Sequence, residues 1–194
     1  MSGRFEALPD GGAAVPLDEV EISILRSLAV QLLELIGPGE TPPKGEDPLA
    51  ALFREGPSEP PADPALARLF PNAYGDDDEE LRAASADFRR YTENDLRARK
   101  REDALTVVRT LDALSGRAAG EGGAVLRLAA EESRHWLRAL NDLRLTIGTR
   151  LEVTDEDESE ALYRLPDSDP RKPMVMAYLW LGVLQETLVD TLMR

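Results

Sequence analysis

Leu140-Asn141-Asp142-Leu143-Arg144-Leu145-Thr146-Ile147-Gly148-Thr149-Arg150-Leu151 is the stretch whose reading decides the fold. Leu137, Leu140 and the run Leu143 to Ile147 define one apolar face at helical spacing, and Gly148 stands where a left-handed C-terminal cap is wanted. Extended backwards, the pattern predicts a helix over Ala124 to Ile147, and Thr149 to Val153 is compatible with a short strand. Arg138 and Asp142 lie one turn apart and are expected to pair. Arg144 borders the apolar face, so it is expected to bridge to a neighbouring helix, with Gln185 or Glu186 as partner. Asn141, Asp142, Arg144, Arg150, Gln185 and Glu186 then form a polar clasp between two core helices rather than a ligand site.

Outward from this block the chain reads as helices. The final helix is expected from about Arg171 to Met193, and it is apolar nearly all round between Met174 and Leu184, which predicts the buried central position. Upstream, residues 78–114 lack Pro and Gly. Leu81, Ala84, Phe88 and Tyr91 line one face, the stripe fades at Asp95 to Asp103, and it resumes at Leu105, Val108, Leu111 and Leu114. Either one long helix with a solvated middle or two helices meeting near Thr92-Glu93-Asn94-Asp95 fits that pattern. Gly116 to Gly123 reads as a turn.

At the N-terminus, Arg4 to Leu8 and Ala13 to Leu17 flank Pro9-Asp10-Gly11-Gly12, whose Asp-Gly supplies positive-φ turn residues and predicts a hairpin. Asp18 is placed to cap a helix in which Val20, Ile24, Leu28, Leu32 and Leu35 form the stripe, widened by Ile22, Leu25 and Leu33. Gly37-Pro38-Gly39 ends it. Eight prolines within residues 37–64 make an irregular connector, with at most a short helix at Leu49 to Arg54, and another short helix is expected at Ala65 to Phe70. The expected fold is mainly α: a helical bundle forming one domain over residues 1–194, with a small hairpin at 1–17 and the connector 37–64 within it.

Composition removes several function classes. The 194 residues include no cysteine, which excludes disulfides, thiolate metal sites and thiol redox chemistry. The longest uncharged apolar run, Met174 to Gln185, is shorter than the ~20 residues a membrane helix needs. A soluble cytoplasmic protein without a membrane association is expected. The net charge of −14 repels nucleic acid on average, yet residues 82–101 carry seven bases against three acids. Acidic runs flank that segment at Asp76 to Glu80 and between Glu152 and Glu160.

His135 is the sole histidine. Glu132-Ser133-Arg134-His135 resembles half of a carboxylate di-iron site, but a second copy cannot exist, so a surface or capping role is favoured and no metal or cofactor is expected. No Gly-x-Ser-x-Gly elbow or strand-borne phosphate loop is present, and Gly120 to Gly123 reads as a plain connection. Trp136 and Trp180 read as packing residues. Arg97, Arg99, Lys100 and Arg101 are the best nucleic-acid or partner candidates, weighed against a solvated helix face with an Asp95–Arg99 pair.

The 140–151 block, together with Tyr178-Leu179-Trp180-Leu181, Leu184-Gln185-Glu186 and Leu188-Val189, resembles the signature of an actinobacterial family of oxidative-stress transcription regulators, the AosR group, formerly a domain of unknown function. The resemblance spans most of the chain. It implies control of sulfur-assimilation genes under oxidative stress, through DNA and the transcription machinery. It also implies redox sensing by a cysteine pair, which this chain lacks. Two classes follow: a regulator engaging promoter DNA or an RNA polymerase partner, and a protein–protein adaptor with no DNA contact. Self-association is left open. An exposed basic patch at 97–101 favours the first class, and internal ion pairs there favour the second. Any DNA binding is expected to be weak alone, with charge reversal at Arg97, Arg99 and Arg101 abolishing it and sparing the fold.

Overall fold

The computed structural model describes residues 3–38, 55–75, 77–118, 123–153, 162 and 164–193. The fold is mainly α with a small antiparallel sheet. Strands β1 (Glu6–Ala7) and β2 (Ala13–Asp18) form the expected hairpin, with Gly11 at φ +81° in its turn. Helix α1 (Glu19–Ile36) follows β2 with no intervening residue. Asp18 accepts from the Glu21 amide at 2.7 Å and the Glu21 carboxylate accepts from the Asp18 amide at 3.0 Å, a reciprocal cap satisfying two otherwise orphaned donors. Because the strand runs directly into the helix, the sheet sets the phase of the first turn. The buried stripe is therefore Ile22, Leu25, Ala29, Leu32 and Ile36, and the expected stripe residue Val20 is 65% exposed. Gly37 ends the helix at φ +86°.

Helix α2 (Pro64–Leu69) is capped by Asp63. Helix α3 (Glu79–Ala118) is continuous over 40 residues, which resolves the choice between one helix and two. Its middle is only partly solvated, with Asp95, Arg99 and Glu102 exposed and Asp103 buried, and its first half faces the other way from the expected stripe: Ser85, Arg89 and Glu93 are buried while Phe88 and Tyr91 are exposed. The reason lies in the segment that covers it. Tyr74 and Phe70 present carbonyls there, which accept from Ser85 Oγ and Arg89 Nη2. Buried carbonyls need donors, so the polar face turns inward.

Residues 124–128, expected as helix, belong instead to strand β3 (Gly123–Leu128). The run alternates, with Leu126 and Leu128 buried and Val125 and Arg127 exposed. It pairs antiparallel with β2, Ala13 opposite Leu128 and Asp18 opposite Gly123, giving the order β1-β2-β3. A two-stranded hairpin is marginal alone, and the third strand supplies what it lacks. Helix α4 (Ala130–Arg150) then starts with Glu132 accepting from the Ala129 amide.

Helix α4 runs through Gly148 to Arg150, so Gly148 is not the stop and Thr149 to Val153 is not a strand. Gly148 is buried because α5 (Lys172–Leu192) comes close: a Cβ there would lie 3.3 Å from the Tyr178 ring. The central helix is α4, which packs on α1, α2, α3 and α5. Helix α5, expected in that role, buries Val175, Trp180, Leu181, Leu184 and Leu188 but exposes Met174, Met176 and Val183. Its all-round apolarity is thus not a measure of burial. One contiguous core joins the sheet to α1, α3, α4 and α5. Trp136 is completely buried within it, edge-on to Phe5 and donating to Thr110 Oγ1 at 3.0 Å. The helix expected at Leu49 to Arg54 and the acidic loop after Val153 lie outside the described residues. No described helix is long and apolar enough to cross a membrane.

Candidate functional site

The basic run lies on the middle of α3, and the structure turns most of it inward. Glu93, 3% exposed, pairs with Arg89 one turn before it and with Arg97 one turn after it, the latter at 2.7 Å. Arg97 also donates to the Ile36 carbonyl at 2.8 Å, and its guanidinium stacks 4.3 Å from the Phe70 ring centroid. Arg101 donates to the carbonyls of Gly37 and Leu33. These two arginines therefore satisfy the orphan carbonyls at the C-terminus of α1, where the helix dipole favours cations. Lys100 reaches across to Asp142 on α4 at 2.6 Å. Arg99 alone of the run is exposed without a partner among the described residues, and the Asp95–Arg99 pair is not formed.

Charge reversal at Arg97 and Arg101 should therefore destabilise the fold, where the sequence led to the opposite expectation, because it would set carboxylates against the carbonyls these side chains now satisfy. Their lengths carried no hint of this. The decisive contact is with a helix end more than sixty residues away.

Across the α3–α4 contact, Arg138 pairs with Asp103 (2.8 and 2.9 Å) and not with Asp142 as spacing suggested. Asp103 is 1% exposed and takes His135 Nδ1 as well, at 2.6 Å. A carboxylate on a neighbouring helix, invisible to the i,i+4 rule, competes for Arg138, while Lys100 claims Asp142. Burial holds the Asp142 pKa above the usual carboxylate range, an effect that the Lys100 hydrogen bond only partly offsets. Glu132 of the Glu-x-x-His motif is occupied at the start of α4. Among the described residues, no group of three His, Asp or Glu side chains is placed to hold a metal ion.

The remaining cluster members fall into two places. Arg144 donates to Gln185 Oε1 at 2.7 Å, Gln185 donates to Asn141 Oδ1 at 3.3 Å, and the Arg144 guanidinium lies 5.2 Å from the Tyr178 ring centroid. Gly182 leaves room for this arginine, with Nε 3.6 Å from where a Cβ would sit. Glu186 is exposed and takes no part. Arg150 is separate: it pairs with Asp63 at 2.7 Å, tying the end of α4 to the start of α2. The backbone amide of Leu66, followed by Arg150, holds the Asp63 carboxyl below its ordinary range.

Helices α3, α4 and α5 line an open cleft of about 400 Å3 at this junction. Arg99 and Lys100 from the basic run line it together with Asn141, Asp142 and Gln185 from the two family blocks. Two features that sequence treats as unrelated thus meet at one place. Asp103 and the Arg89–Glu93 pair were missed by sequence reasoning. The i,i+4 ladder Arg89, Glu93, Arg97 was visible as a spacing, but its burial was not.

Fold and site together define a mainly helical, cysteine-free protein whose buried charges gather where helices meet. A family model described as Domain of unknown function (DUF2017) matches residues 2–192, and the chain belongs to that family. The oxidative stress regulator AosR of Mycobacterium tuberculosis (strain ATCC 25618 / H37Rv) is 30% identical over 183 residues, covering 89% of this chain and 78% of its own length. The AosR protein of Mycobacterium bovis is similar to the same extent. A Mycobacterium leprae protein bearing the AosR name is 31% identical over 183 residues, 89% of this chain and 79% of its own. No solved structure matches the chain.

Proposed function

We propose that this chain is a non-enzymatic regulator in the oxidative-stress response that acts by binding a protein of the transcription machinery, and not by gripping DNA through residues 97–101. The regulatory role is carried over from the relatives named oxidative stress regulator AosR. One observation carries the choice of partner: Arg97, Lys100 and Arg101 are engaged within the molecule, leaving Arg99. A single phosphate contact gives a slope of log affinity against log salt of roughly −1, far short of the slopes of dedicated DNA binders. A chain charge of −14 adds general repulsion.

A protein contact has suitable chemistry elsewhere on α3. Phe88 and Tyr91 are 50% and 68% exposed at adjacent turns, and Tyr74 packs edge-on against Phe88 at 6.4 Å. Exposed aromatic side chains of this kind anchor protein interfaces. The test has two arms. Tagged protein is recovered from its own cells before and after peroxide, alongside the Phe88→Ala/Tyr91→Ala variant, and the purified chain is titrated with promoter DNA of sulfur-assimilation genes. Co-recovery of polymerase components that the double variant loses, with no tight DNA binding at physiological salt, supports the reading. Tight DNA binding by the isolated chain, or recovery unaffected by the variant, overturns it.

A further inference from the structure

We propose that the cleft between α3, α4 and α5 binds a small organic monocarboxylate with an apolar body. Each helix contributes one aliphatic side chain to its lining, Leu96, Leu137 and Val189 respectively. A volume of about 400 Å3 falls within the range of small-molecule sites, roughly 300–1,000 Å3. The charges along the wall select the ligand's head. Lys100 is matched by Asp142, and Arg138 is matched by Asp103. Arg99 remains unmatched, so the wall carries one cation in excess.

Hydrogen-bonding capacity points the same way. Asn141 Oδ1 is taken by Gln185, and Gln185 Oε1 is taken by Arg144, which orients both amides. The Asn141 amide donors have no partner among the described residues, and neither does Arg99. A wall whose spare donors come from Arg99 and Asn141 suits a ligand group that only accepts. A carboxylate is such a group, and its two oxygens match the guanidinium fork. A phosphate dianion fits less well, because one unmatched cation faces it together with the buried carboxylates of Asp103 and Asp142. The apolar lining adds a requirement for an aliphatic or aromatic body behind the head group. The inference concerns the isolated chain and stands independently of which protein it engages.

The test is a titration of isotopically labelled full-length protein with sodium hexanoate, followed by amide chemical shifts, and a parallel titration with hexanamide. Hexanoate is expected to bind saturably with millimolar affinity, the scale for so few heavy atoms, with shifts centred on residues 96–103, 137–142 and 185–189. Hexanamide is expected to bind at least ~10-fold more weakly, because the charge-assisted bond is lost. Arg99→Gln should erase that preference without changing thermal unfolding, since Arg99 holds nothing within the fold. Val189→Phe, which fills the apolar lining, should weaken both probes. Absence of saturable shifts with hexanoate, equal binding of the two probes, or an unchanged preference in Arg99→Gln would overturn the proposal.

Discussion

Replacing Glu93 by Gln should be among the most damaging isosteric changes in the molecule. The carboxylate is 3% exposed and serves two guanidiniums at once, Arg89 with 4% side-chain exposure and Arg97 with 24%. Arg89 also holds the Phe70 carbonyl at 2.9 Å and Asn72 Oδ1 at 2.8 Å, so it cannot swing to solvent without releasing the segment after α2. The amide keeps the shape of Glu93 but removes its charge, leaving Arg89 buried without a counterion. Breaking one side of a buried pair costs about 3–5 kcal/mol, a large share of the roughly 5–15 kcal/mol that stabilises a domain. With a urea m value of ~2.5 kcal/mol/M, the midpoint should fall by about 1.2–2 M.

Asp112→Asn, which weakens a half-exposed pair with Arg26 at 2.5 Å, should leave the midpoint within error. Amide exchange in Glu93→Gln should accelerate first at Phe70 and Asn72 and at the end of α1, the two places the ladder fastens. Replacing the pair together, Arg89→Met with Glu93→Leu, should not recover the loss, because the Phe70 carbonyl then loses its donor and Arg97 its carboxylate. A midpoint shift under about 0.3 M for Glu93→Gln would refute the reasoning, since it would mean that water reaches Arg89 freely.

Arg144→Ala should destabilise the fold by ~1–3 kcal/mol in denaturant melts by stranding Gln185, and unchanged stability would detach the 140–151 block from a structural role. The raised Asp142 pKa means that the native state binds this proton more readily than the unfolded state, so stability falls as pH rises from the unfolded value through the folded one. Wild type should therefore gain on Asp142→Asn as pH drops from neutral into that window, and melts at several pH values showing the reverse would remove burial as the dominant cause. Diamide should leave mass, mobility and melting unchanged, because the chain has no cysteine; a reproducible intramolecular change would contradict this.

The periodicity of the sequence determined that the protein is mainly α. Asp18, Gly11 and Gly37 marked a cap, a turn and a helix end in the chain itself, because each acts through neighbours a few residues away. The Arg144–Gln185 contact could be expected because both residues border apolar helical faces. The tertiary structure alone decided what depends on distant partners. Ala124 to Leu128 is strand because β2 offers an unpaired edge, a fact that no local propensity contains. Gly148 reads as a helix stop until Tyr178 is seen against it, 30 residues onward in the chain and within van der Waals reach in space.

The basic run gives the clearest division. Sequence supplied four cations and an overall negative charge; composition favoured a solvated face, and the family resemblance brought a nucleic-acid contact nearer to it. That most of it turned inward instead depended on the carbonyls at the end of α1, on the buried Glu93 of the same helix, and on Asp142 across the α4 contact. A long charged side chain is satisfied by whichever partner packing brings within about 3 Å, and packing is a property of the whole fold.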